Sequence, residues 1–185
     1  MTYYGGKELA ESFRTVRKNT IQIAEEIPED SYSFKASPDS RTIGQTLAHI
    51  AMVTAFQTYV HENQIDSLSK VNFPEYIQKS RVEEDSLRSK EEIIAALKAY
   101  GDKFAGFLES LPESVLSQPV AMMPGSQPAA KSRLEMLMSA KEHEMHHRGQ
   151  LMVMQRMLGM TPHLTRQMQE RMARQAQAAQ AAAAR

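Results

Sequence analysis

Four stretches of this chain repeat apolar residues at steps of three and four, and three of the four run into a proline. That spacing is the period of an amphipathic α-helix. No segment alternates convincingly at the two-residue period of a strand. Such a chain can bury its apolar side chains only by packing helix on helix, which predicts an all-α four-helix bundle.

The first stripe runs over residues 7–27, with Leu9, Phe13, Val16, Thr20, Ile23 and Ile27 on one side, and Pro28 stops it. The second starts after Ser40 or Thr42, either of which can cap it, and runs to about Glu62 through Ile43, Leu47, Ile50, Thr54 and Val60. The third opens on Ser89, with Glu92 at the capping-box position, and ends at Pro112. The fourth opens on Ser132, with Glu135 at the same offset, and runs to Leu158, where Gly159 and then Pro162 end it. Residues 63–89 are polar and weakly patterned around Pro74, and read as a long crossover or lid with at most a short helical turn. Residues 117–131 carry three prolines and a glycine and read as loop. The expected organisation is one bundle domain over residues 1–164, followed by an Ala/Gln-rich tail over 165–185. The tail's propensity favours helix, but it lacks a broad apolar face, so it reads as surface helix, partner-bound helix or disorder.

Composition narrows the chemistry. The 185 residues carry no net charge, which gives no general pull toward nucleic acid or membrane. There is no apolar run of membrane-spanning length and no signal-peptide pattern, so a cytoplasmic protein is the expectation. With no cysteine present, any metal must be held by nitrogen or oxygen. Methionine is abundant, six of the thirteen lying between Met136 and Met157, and reads as flexible core filling.

The fourth stripe also holds three of the six histidines, in the segment KEHEMHHRGQLM. His143 and His147 are four apart, so they project from one helix face a turn apart, within reach of a single ion. Met136, Ala140, His143, His147, Leu151 and Met154 form one row, which puts the pair on the core side of the helix. His146 points partly away. Glu142 and Glu144 read as solvated charges on another face, and Arg148 as a surface or ion-paired residue. Two histidines are fewer than the usual three protein ligands of an open site. His49, in TIGQTLAHIAMV on the apolar side of the second helix, is the best third donor. Gln45, one turn earlier, is a candidate to support His49 or to contact a bound cofactor. His61 is too far along its helix to share the site, and His163 follows Pro162 in a terminal loop. The segment HEMHH matches the HExxH protease motif formally, but the only later histidine lies beyond that proline. A satisfied core histidine at His49 and a chance pair on the fourth helix are the competing explanation.

The blocks TIGQTLAHIA and HEMHHRGQLMVMQRMLGMTP resemble the DinB/YfiT-like superfamily over residues 7–164. The resemblance implies a four-helix bundle with a divalent metal held by His49, His143 and His147, the residues that spacing also selects. It further implies thiol-dependent transfer or isomerisation with low-molecular-weight thiols such as mycothiol or bacillithiol, and homodimers. The expected function is metal-dependent activation of a thiol or water for attack on a small electrophile, with zinc or nickel as the expected ion. Catalytic residues beyond the ligands are not identified; Gln45, His146 and Glu144 are candidates for the surrounding shell. The alternative is a non-catalytic metal- or ligand-binding bundle acting through a partner.

Overall fold

The computed structural model describes residues 4–87 and 89–183. Seven helices are present among them: α1 Gly6–Glu26, α2 Ile43–Glu62, α3 Phe73–Ser86, α4 Lys90–Ser110, α5 Glu113–Leu116, α6 Arg133–Met157 and α7 His163–Ala183. Four long ones form the bundle. α1 and α2 each pack on both α4 and α6, so α1 and α2 stand on opposite corners. The expected caps are in place. Thr42 Oγ1 accepts the Gln45 N–H while Gln45 Oε1 accepts the Thr42 N–H, and Ser89 and Glu92 repeat the exchange at α4. Ser132 Oγ accepts the Glu135 N–H at the start of α6. At its end Gly159 takes φ +78°, the left-handed conformation a glycine adopts cheaply, and the Met160 N–H bonds back to the Gln155 carbonyl.

Two elements depart from the sequence reading. The stretch read as a crossover with at most one turn contains α3, fourteen residues long and packed on α2. Pro74 lies in the first turn of this helix, where the missing N–H would have had no partner anyway, and Asn72 caps the start. α3 has no fully buried residue, so its apolar stripe is too thin to register as a period. The loop 117–131 folds into a small antiparallel hairpin of β1 Pro119–Ala121 and β2 Ala130–Ser132, with Val120 opposite Lys131. Three-residue strands are too short to display alternation. Their purpose is to seat Val120 against Val60, Leu68, Val71 and Met136.

The core has two principal parts. One is built on Leu9, Phe13, Phe104, Leu108 and Leu137, with Phe13 and Phe104 edge to face at 4.9 Å between centroids. The other joins Ile23, Ile27, Ile43, Leu47, Ile50, Leu97 and Leu151. An ion pair stands among the four bundle helices. Arg17 of α1 donates through Nε to both carboxylate oxygens of Glu144 on α6, at 3.1 and 3.0 Å. Its other nitrogens reach the Leu97 carbonyl of α4 at 2.8 Å and the Ile50 carbonyl of α2 at 3.2 Å. Glu144 is thus fully buried rather than solvated, because α6 has two interior faces, one toward α1 and one toward α2.

α7 is helical throughout its length. His163 is its one buried residue, and its first turn is tied down by Arg166 to Glu26 and by Thr165 to Arg156. Among the described residues, no helix is long and apolar enough to cross a membrane.

Candidate metal centre

His49 lies in the middle of α2, and His143 and His147 lie one turn apart on α6 where it faces α2. Apolar neighbours set this register. Leu47, Ile50 and Ala51 are buried around His49, and Ala140 and Leu151 continue the α6 row above and below the histidine pair. The three rings converge. His49 Nε2 and His147 Nε2 each stand 3.0 Å from His143 Nε2, and the three nitrogens lie within 4.8 Å of one another.

The outer nitrogens explain why the inner ones can act as ligands. His49 Nδ1 is 2.7 Å from Glu84 Oε1, so its proton sits on Nδ1 and leaves the Nε2 lone pair facing inward. His147 Nδ1 is 2.8 Å from Gln150 Oε1, with the same consequence. Two lone pairs therefore flank His143 Nε2, and one hydrogen there can serve only one of them. A cation would satisfy all three, so the donor set fits a divalent metal bound by neutral imidazoles. Burial pushes His143 down to about 4, reinforced by His147, His49, His146 and Arg41 around it. Burial also lowers His147, against the opposing effect of its Gln150 bond. Both imidazoles are neutral at pH 7, the form a metal requires.

The other candidates sort out by place. Gln45 is exposed, and its side-chain oxygen is engaged with the Thr42 N–H at the helix start; the support of His49 comes instead from Glu84. His146 is exposed; its ring stands edge-on to that of His147 at 5.0 Å between centroids, and its Nε2 is 3.2 Å from Gln150 Nε2. Glu144 faces away into the Arg17 pair. His61 is buried elsewhere, its Nδ1 accepting from Arg133 at 3.0 Å. His163 begins α7 rather than lying in a loop, and its Nε2 pairs with Asn19 Oδ1 at 3.3 Å. Glu84 and Gln150 are the site residues that spacing missed. Gln150 lies three residues beyond His147, one helical turn, and was open to discovery. Glu84 was hidden with the helix that carries it.

Two recesses flank the triad. One, of about 250 Å³, has His49 in its wall and runs between α2 and α3. The other, of about 430 Å³, has His147 and Gln150 in its wall beside the loop before α2.

Known proteins agree with this architecture. The chain is 27% identical over 154 residues to YjoA of Bacillus subtilis (strain 168), covering 83% of this chain and 91% of YjoA. The crystal structure of the DinB-like YjoA matches with TM-score 0.62 at 24% identity, over 83% of this chain and 93% of that one. A DinB-like protein of Bacillus cereus ATCC 10987 matches with TM-score 0.66 at 18% identity, over 87% and 97% of the two chains. YfiT of Bacillus subtilis, described as a probable metal-dependent hydrolase with an unusual four-helix bundle topology, matches with TM-score 0.63 at 11% identity, over 87% and 91%. A sequence model of the DinB family matches residues 1–179, which takes in most of α7 as well as the bundle. This chain is a member of the DinB family.

Proposed function

We propose that this protein is a divalent-metal-dependent enzyme in which His49, His143 and His147 hold the ion and a thiol or water attacks a small electrophile beside it. The supporting observation is the convergence of three imidazole nitrogens, two of them locked in the ligand tautomer by Glu84 and Gln150. A divalent ion held by neutral ligands keeps its full charge and lowers the pKa of an adjacent water or thiol. The chain supplies the rest. Glu84 orients His49 and fixes its tautomer, and Gln150 does the same for His147. The Arg17–Glu144 pair fixes α6 against the other three helices. The recesses beside His49 and His147 admit a small molecule.

The description of YfiT favours hydrolysis, whereas the thiol branch and a homodimer rest on the wider resemblance. Zinc and nickel are the proposed ions, since three imidazoles suit either. A second reading, a non-catalytic bundle acting through a partner, draws on α7, which is exposed from Arg166 to Ala183.

The test is activity of tag-free protein stripped with a chelator and reloaded with zinc or nickel. Substrates are p-nitrophenyl acetate and, with a low-molecular-weight thiol added, monochlorobimane. Turnover should vanish on stripping, return with metal, and be absent from the His143→Ala variant. Equal rates with and without metal would remove the metal-centred reading.

A further inference from the structure

The groove between α2 and α3 has an apolar body and a cationic end. Phe56 of α2 and Tyr76 and Ile77 of α3 line it, with Phe56 and Tyr76 edge to face at 5.1 Å. His49 stands in its wall, and Arg41 and Arg81 complete it. Arg41 also borders the second recess, the one that contains His147, so a single guanidinium overlooks both approaches to the triad.

Neither arginine has a hydrogen bond or ion pair among the described residues, whereas Arg14, Arg17, Arg133 and Arg166 each do. The carboxylate in the groove wall, Glu84, is engaged with His49. Asp39 lines the second recess with Arg41 and accepts the Ser37 hydroxyl at 2.6 Å. Asp39 and Asp85 both border a side recess with the two arginines, and neither lines the groove. Two unpaired guanidinium groups at the end of an apolar slot, next to a centre that itself carries positive charge when loaded, match an oxyanion.

We propose that the substrate of this site is a small molecule with an apolar or aromatic body and an oxyanion, either carboxylate or phosphate. The body lies along Phe56, Tyr76 and Ile77, and Arg41 and Arg81 hold the oxyanion, which brings the molecule to the His49 wall. The position of the reacting end rests on the metal-centre reading; the anion preference does not.

Calorimetric titration tests it, with 3-phenylpropionate, phenethyl phosphate and the neutral 3-phenylpropanamide as probes. Zinc content is measured on every sample, and each titration is repeated on zinc-free protein. The oxyanions should bind about tenfold or more tightly than the amide, and Arg41→Met and Arg81→Met should each erase most of that difference at unchanged zinc content. The tighter of the two oxyanions identifies the group. The preference should persist, weakened, without zinc, which separates arginine recognition from direct ligation of the metal. Equal binding of all three probes, or a preference that survives both arginine substitutions, would overturn the proposal. Failure to bind zinc would count against the metal centre alone, because the probe comparison still reads on the zinc-free chain.

Discussion

Replacing Glu144 by alanine should be the most damaging change of a polar residue in this bundle. Arg17 is 3% exposed and Glu144 fully buried, and the guanidinium keeps only the Leu97 and Ile50 carbonyls once the carboxylate is gone. A buried charge that loses its partner costs about 3–5 kcal/mol. For a chain of this length a urea slope of about 2.5 kcal/mol per molar is expected, so the midpoint should fall by about 1–2 M. Glu144→Gln keeps the shape and an acceptor but not the charge, and should fall between parent and alanine. The paired replacement Arg17→Met with Glu144→Leu removes both charges and should recover most of the loss, a coupling of several kcal/mol on the order of that seen when neighbours act as a unit. The exposed pair of Arg14 and Glu109, with side chains 44% and 41% accessible, provides the control and should matter little. The assay is equilibrium urea unfolding followed by helical circular dichroism, with coincident fluorescence to confirm one transition. A loss below about 1 kcal/mol for Glu144→Ala, or no recovery in the double variant, would refute the claim that this pair ties the four helices together.

Three further outcomes are expected. Glu84→Ala should weaken zinc or nickel binding by about 10–100-fold while leaving thermal stability of the metal-free chain nearly unchanged, measured by competition with a chromophoric chelator. Burial and Arg133 hold the His61 imidazole down to about 4, so it stays neutral in the fold while the unfolded chain protonates it near its ordinary value. Its contribution is intact above about pH 6.5 and is lost between there and pH 4, about 3 kcal/mol in all; His61→Gln should remove that part of the slope in urea unfolding across pH. At Gly6 an added methyl carbon would stand 2.3 Å from the Leu108 carbonyl oxygen, so Gly6→Ala should force α1 and α4 apart and cost about 1–3 kcal/mol, read as a lower melting temperature.

The bundle was legible because its four long helices repeat apolar residues at helical spacing, and three of them begin on Thr42, Ser89 and Ser132 with their partners three residues on. The triad was legible because His143 and His147 share a face with Ala140 and Leu151, and His49 sits among buried neighbours. Helix α3 was not. A helix without a fully buried residue leaves no stripe, and its proline reads as a stop unless the cap before it is known. Glu84 and Arg81 were lost with α3, and with them the hydrogen bond that orients His49 and one wall of the groove. Glu144 was misplaced because a single helical wheel assigns one interior face, whereas α6 touches both α1 and α2. Gln45 has a spacing from His49 that suits support, but its side-chain oxygen is engaged by the Thr42 N–H at the start of α2.

The most direct test of the account is metal content of tag-free protein by plasma mass spectrometry, beside the His143→Ala variant. The account predicts about one equivalent of a divalent transition metal in the parent after incubation with zinc or nickel, and none in the variant, with helical circular dichroism unchanged. Metal absent from both, or bound equally by both, would mean that His49, His143 and His147 converge without forming a metal centre.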